Sequence, residues 1–133
     1  MSPASHVYVA VVDDDESIRR SMMRLLRAAD FHAVPYASAD QFLEDWKRPD
    51  FDCLVLDIWL ADRGGFELQR QLAAQGSTAP VIFVTGDNDL QTKEAAEATQ
   101  CAGFFRKCDD GTKIVELIRQ LADAHERRSG KVR

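Results

Sequence analysis

The sequence predicts an α/β fold, a doubly wound five-stranded parallel sheet built from (βα)5 units, and three observations carry that expectation. Short apolar runs alternate with helix-patterned segments from one end of the chain to the other. The runs are continuously apolar, as strands covered on both faces must be. No internal repeat or low-complexity linker interrupts the alternation, and 133 residues suit one domain with a substantial core.

The first strand is expected over Val7 to Val12. The helix after it places Ile18, Met22, Leu25, Leu26 and Ala29 on one face. A second short strand reads from Ala33 to Tyr36, and Ser38 is positioned to cap a helix holding Phe42, Leu43 and Trp46. Pro49-Asp50 breaks that helix before the third strand, Cys53-Leu54-Val55-Leu56, which ends at Asp57. A loop with Gly64-Gly65 leads to a helix carrying Phe66, Leu68 and Leu72, which stops at Gln75-Gly76.

Pro80 precedes the fourth strand, Val81-Ile82-Phe83-Val84. The segment from about Asp89 to Gln100 is alanine-rich and helical by propensity, with few large apolar anchors, so its helix is expected to be weakly held. A short fifth strand spans Gly103 to Arg106, and Asp109 is placed to cap a last helix bearing Ile114, Leu117, Ile118 and Leu121. Crossover helices on both faces imply the flavodoxin-like strand order 2-1-3-4-5, with a ligand crevice between strands one and three.

Composition narrows the function. Apolar content of 45% and charged content of 29% are ordinary for a globular protein. A net charge of −5 argues against broad nucleic-acid binding, which needs a basic face to displace counterions. The basic stretch Arg127 to Arg133 reads as a solvated terminus. Three cysteines cannot all pair, and Cys53, Cys101 and Cys108 lack Cys-x-x-Cys spacing; Cys53 is expected as a small buried hydrophobe. His6, His32 and His125 show no zinc-ligand spacing. No apolar stretch approaches the roughly 20 residues of a membrane span, and no signal-peptide core is present. A reduced, cytoplasmic domain is expected.

Polar chemistry gathers where the apolar runs stop. Val7–Val12 stops at Asp13-Asp14, the third strand at Asp57, the fourth at Thr85-Gly86 and the fifth, after Arg106, at Lys107. Ligands in an open parallel sheet bind outside the carboxyl ends of its strands. Three carboxylates, a hydroxyl and an ammonium therefore converge. Crowded carboxylates oppose one another's ionisation unless a cation is present, and Mg²⁺ suits an all-oxygen site. Asp13 or Asp14 with Asp57, together with the backbone carbonyl of Trp59, supply candidate ligands. Asp15 and Glu16 fall at the start of a helix, where they favour its dipole. A carboxylate needs no general base to attack phosphorus, and phosphoryl transfer asks mainly for positioning and charge neutralisation. Taken singly, each of these residues is more often a turn former, a cap or a solvated charge; the joint placement at one end of one sheet points to phosphoryl chemistry.

The segments Val11-Val12-Asp13-Asp14-Asp15-Glu16, Leu54-Val55-Leu56-Asp57, Val84-Thr85-Gly86 and Phe105-Arg106-Lys107 closely resemble the receiver domain of bacterial two-component response regulators. The similarity runs from about Val7 to Ala124, leaving residues 1–6 as an N-terminal tail and 125–133 as a basic C-terminal tail. Tyr36 to Leu43 is similar to the branch often fused to a helix-turn-helix DNA-binding domain. The resemblance implies Asp57 as phosphoacceptor, Asp13 and Asp14 as the acidic pair for Mg²⁺, Thr85 and Phe104 as switch residues, and Lys107 as the phosphate-contacting lysine. It further implies a histidine kinase or phosphotransfer protein as donor, a downstream protein effector, and an association of two copies through the fourth helix, fifth strand and fifth helix. Self-phosphorylation and autodephosphorylation are expected, without turnover as an enzyme.

Two departures stand out. Receivers usually carry Met-Pro where this chain has Leu60-Ala61, and Pro after the lysine where it has Cys108. A non-proline cis bond costs about 2.5–4 kcal/mol, which favours a trans Lys107–Cys108 bond. Gln100 replaces the usual glycine before the fifth strand. Trp59, two residues past Asp57, stands where side chains in this family control access of the hydrolytic water.

The chain ends just after its last helix, so a stand-alone regulator or phosphorelay component is expected. Two other readings compete. A receiver-like interaction module that is never phosphorylated accounts for the lost prolines. Alternatively, Asp13-Asp14-Asp15 resembles the start of haloacid-dehalogenase-like phosphatases, with Asp13 as nucleophile, Asp15 as acid/base and Asp109-Asp110 as metal ligands; that reading leaves Asp57 without a role.

Overall fold

A computed structural model describes residues 7–47, 50–86, 90–99, 101–107 and 111–129, with side chains left aside at 90, 91 and 125–129. The elements run β1 (Tyr8–Val12), α1 (Glu16–Ala28), β2 (His32–Tyr36), α2 (Ala39–Leu43), β3 (Cys53–Asp57), α3 (Gly65–Ala74), β4 (Val81–Thr85), α4 (Leu90–Ala98), β5 (Gly103–Arg106) and α5 (Gly111–Ser129). The strands form one sheet in the order β2-β1-β3-β4-β5, every neighbouring pair parallel, as the sequence predicts.

Burial explains the apolar runs. All five residues of β3 and of β4 are buried, because helices cover both faces of these inner strands. Edge strand β2 contains Pro35, opposite Val11, where a missing N–H donor is tolerated. One apolar layer holds Val12, Phe42, Leu56, Leu68, Leu72 and Phe83; the other holds Val11, Leu26, Val55, Ile82, Ile114 and Ile118. The alternation along each strand sends neighbouring side chains to opposite layers. Cys53 is fully buried, and burial pushes its thiol far above the ordinary range, so it behaves as an inert small hydrophobe.

Local chemistry sets the helix ends. Asp15 caps α1 by accepting from the amides of Ser17 and Ile18, at 2.9 and 3.2 Å. The helix closes with Phe31 N–H on the Leu26 carbonyl and Asp30 N–H on that of Arg27, a turn that requires the positive φ of 67° at Asp30. Gly76, with φ of 98°, closes α3 the same way. Ser38 caps α2 through the Gln41 amide, as expected.

The structure differs from the expectations in several details. The apolar face of α1 buries Met23 and Leu26 most deeply, while Met22 and Leu25 lie at its margin. Helix α2 stops at Leu43, so Trp46 is not helical; the chain turns there, Asp45 accepts the Tyr36 hydroxyl at 2.6 Å, and the Trp46 indole donates to Gln75. Helix α5 runs on to Ser129, five residues past Ala124, and so takes in the first part of the expected tail. Helix α4 follows expectation: its buried described positions are the small residues Thr92 and Ala96. Residues 1–6, Gln100, Cys108, Asp109 and Asp110 lie outside the described residues, and with them the glycine replacement, the Lys107–Cys108 bond and the Asp109 cap. No described helix is long and apolar enough to cross a membrane.

Candidate phosphoryl and metal site

Parallel register brings the strand ends together. Val12 of β1 pairs with Leu56 of β3, so Asp13 and Asp57, the next residues on, are neighbours across that ladder. Asp57 in turn pairs with Val84 of β4, immediately before Thr85. Thr85 pairs with Arg106, and the Lys107 amide donates to the Thr85 carbonyl at 2.8 Å. Residues from opposite halves of the chain thus meet at one rim.

Asp13, Asp57 and Thr85 are buried, with 4%, 4% and 0% of their surfaces exposed, while Asp14 is exposed at the mouth. Lys107 Nζ lies 3.1 Å from Asp13 Oδ2 and 3.3 Å from Asp57 Oδ2. The second oxygen of Asp57 accepts the Trp59 amide at 3.1 Å, and Asp13 Oδ1 accepts the Asp15 amide at 2.9 Å. Arg19 holds the Asp13 carbonyl at 2.8 Å, which fixes the end of β1 against α1.

The charges are not balanced. Burial pushes the Asp13 carboxyl above its ordinary range and the Asp57 charge adds to this; the Asp15 amide and Lys107 pull the other way without reversing it. Burial alone would lower the Lys107 ammonium, but the Asp57 and Asp13 charges outweigh it and hold Lys107 above its usual value. One ammonium therefore serves two buried carboxylates, with a third beside them.

Carboxylate oxygens of Asp13, Asp14 and Asp57 lie within 4.8 Å of one another. The set is all oxygen and anionic, with nitrogen and sulfur ligands absent from it, which fits a hard divalent cation such as Mg²⁺. At Trp59 the backbone amide donates to Asp57, and the residue is 58% exposed.

Close packing sets the floor of the site. Helix α3 begins against the end of β3, where a Cβ on Gly65 would stand 2.6 Å from the Asp57 carbonyl oxygen and 2.9 Å from Ile58 Cα. Only glycine permits that approach. Phe104 and Phe105 are each partly buried, against opposite apolar layers, as the alternation of β5 predicts.

Sequence reasoning missed the bonds that fix the loop after β3. The Ala61 amide donates to Asp14 Oδ2 at 3.0 Å. Asp62 accepts the amides of Ala39 and Asp40 at the start of α2, at 3.3 and 3.1 Å. Arg63 bonds Gln71 and also reaches Asp40 at 3.4 Å. Backbone amides leave no trace in residue type, so Ala61 gave no signal; Asp62 carried one, as a carboxylate in a loop near another helix's N-terminus.

The chain matches the response regulator receiver domain over residues 9–119. It belongs to that family. The fold agrees: the solved structure of FixJ-N gives a TM-score of 0.77 at 30% identity, over 88% of this chain and 94% of that one. Nodulation protein W of Bradyrhizobium diazoefficiens is 38% identical over 110 residues, 83% of this chain and 48% of that protein. Response regulator protein TodT of Pseudomonas putida is 30% identical over 116 residues, 87% of this chain and 50% of its own. This receiver spans about half the length of those curated relatives. The family match displaces the phosphatase reading, and Asp57, which that reading leaves without a role, lies beside Lys107 and the Asp13–Asp14 pair.

Proposed function

We propose that this receiver is a phosphorylation-activated switch that accepts a phosphoryl group on Asp57 from a histidine kinase or phosphotransfer protein. The observation that carries this reading is Lys107 Nζ 3.3 Å from Asp57 Oδ2, with Asp13 and Asp14 alongside. An ionised Asp57 oxygen attacks phosphorus without a general base. The new P–O bond forms as the donor's P–N bond breaks, and the donor imidazole leaves with that electron pair. Lys107 neutralises one phosphoryl oxygen, and the Thr85 hydroxyl donates to another. Asp13, Asp14 and Asp57, with the Trp59 carbonyl, would hold Mg²⁺, which when bound would neutralise charge on the phosphoryl oxygens.

Phosphorylation adds charge at the end of β3. Thr85 moves toward it, Phe104 turns inward, and the small-residue anchoring of α4 lets that face rearrange toward a downstream effector or a second copy of the chain. The protein acts in the cytoplasm as a phosphoacceptor and does not turn over a substrate.

The test is incubation with Mg²⁺ and acetyl phosphate, followed by intact mass of wild-type protein and of Asp57→Asn. Wild type should gain one acid-stable, base-labile phosphoryl group that Asp57→Asn lacks. A protein that binds Mg²⁺ but takes up no phosphoryl group is an interaction module instead.

A further inference from the structure

Lys107 reaches Asp13 and Asp57, at 3.1 and 3.3 Å. The third carboxylate of the site is held differently, by a backbone amide 47 residues away: Ala61 N–H donates to Asp14 Oδ2 at 3.0 Å. Asp14 is exposed, so its side chain is otherwise at liberty to turn into solvent. With the bond in place, its carboxylate stays within 4.8 Å of those of Asp13 and Asp57.

The loop supplying this amide is itself fixed. The Trp59 amide is bound by Asp57, Gly65 donates to the Ile58 carbonyl at 2.8 Å, and Asp62 is bound to the first amides of α2. An anchored donor aimed at an exposed acceptor is a preorganising device. It needs an amide hydrogen, which proline does not have. Ala61 carries that hydrogen, which is what makes the bond available.

We propose that the Ala61 amide is a positioning group that holds Asp14 in place for a divalent cation, so that cation binding bears less of the cost of ordering that carboxylate. The inference rests on the metal reading of the site. Its strength is that of one hydrogen bond to a charged group, partly screened by water.

The experiment is an Mg²⁺ titration of the whole chain followed by amide nitrogen–proton spectra, on wild type, Ala61→Pro and Ala61→Val. Ala61→Pro should bind Mg²⁺ about threefold to tenfold more weakly, while Ala61→Val, which keeps the amide, should match wild type. Equal weakening by both variants, or Ala61→Pro within about twofold of wild type, overturns the inference while leaving the metal reading intact. Wild-type protein that takes up no Mg²⁺ overturns both. The same spectra show whether Ala61→Pro is folded. If it is not, hydrogen exchange at the Ala61 amide decides: about tenfold faster exchange in folded Asp14→Ala supports the bond, and unchanged exchange overturns it.

Discussion

Lys107 Nζ rests 3.3 Å from Asp57 Oδ2, so the proposed phosphoacceptor already carries a cationic partner before any phosphoryl group arrives. The partner comes from the end of β5, two strands away in the sheet. Its raised pKa fixes the sign of one pH effect. The stabilisation from Lys107 is fully present below the ordinary lysine value of 10.5 and is lost as pH rises through the raised native value. Lys107→Ala should cost about 1–3 kcal/mol at neutral pH, below the loss from a fully buried pair because its side chain is 19% exposed. In urea titrations of the metal-free protein, the gap between the two midpoints should narrow above pH 10.5. A gap independent of pH would contradict this.

Asp13 gives an effect of its own. Its native pKa is raised, so the folded state holds that proton more tightly than the unfolded chain does. Its contribution to stability is greatest below the ordinary value of 3.8 and declines as pH rises through the native value. Metal-free Asp13→Asn should therefore gain on wild type as pH climbs above 3.8, and melt higher than wild type at pH 7. Saturating Mg²⁺ should close that difference by stabilising wild type alone. Thermal scans with and without Mg²⁺ measure both.

Trp59, two residues past Asp57, is 58% exposed. If its bulk limits the approach of water to Asp57, Trp59→Ala should shorten the aspartyl-phosphate lifetime about threefold or more while changing stability by less than about 0.5 kcal/mol. The decay of phosphorylated protein, followed by mass, reads this directly; an unchanged lifetime removes the idea.

Gly65→Ala probes the floor of the site. The added methyl would sit 2.6 Å from the Asp57 carbonyl oxygen, a backbone atom that cannot swing aside. Destabilisation of about 1–3 kcal/mol in urea is expected, with slower phosphorylation because the end of β3 must move. Gly64→Ala is the control, since its Cβ would meet a neighbour only at 4.0 Å.

Strand ends were legible from sequence because continuous apolar runs force parallel, doubly covered strands, and parallel strands share one functional rim. Asp13, Asp14, Asp57, Thr85 and Lys107 follow from that alone. The α2 boundary was not legible: Trp46 continues the spacing from Phe42, yet the Tyr36–Asp45 and Trp46–Gln75 hydrogen bonds hold a turn there. Asp45 bonds a residue back in β2 and Trp46 one at the end of α3, and periodicity carries no information about either pairing. The Ala61 amide was invisible for a related reason, being a backbone donor whose use depends wholly on what lies opposite.

The two phenylalanines of β5 have a mechanical consequence. Phe104 belongs to the layer shared with α3 and α4, and Phe105 to the layer shared with α1 and α5. Gly103, beside them, lies so close to α5 that a Cβ there would come within 2.5 Å of Leu117 Cδ2. The strand works like an axle gripped on both sides: a twist of its backbone would move both rings, whereas a change of rotamer at Phe104 would move one. A displacement of the β5 backbone would therefore disturb packing on both sides of the sheet, not on one alone.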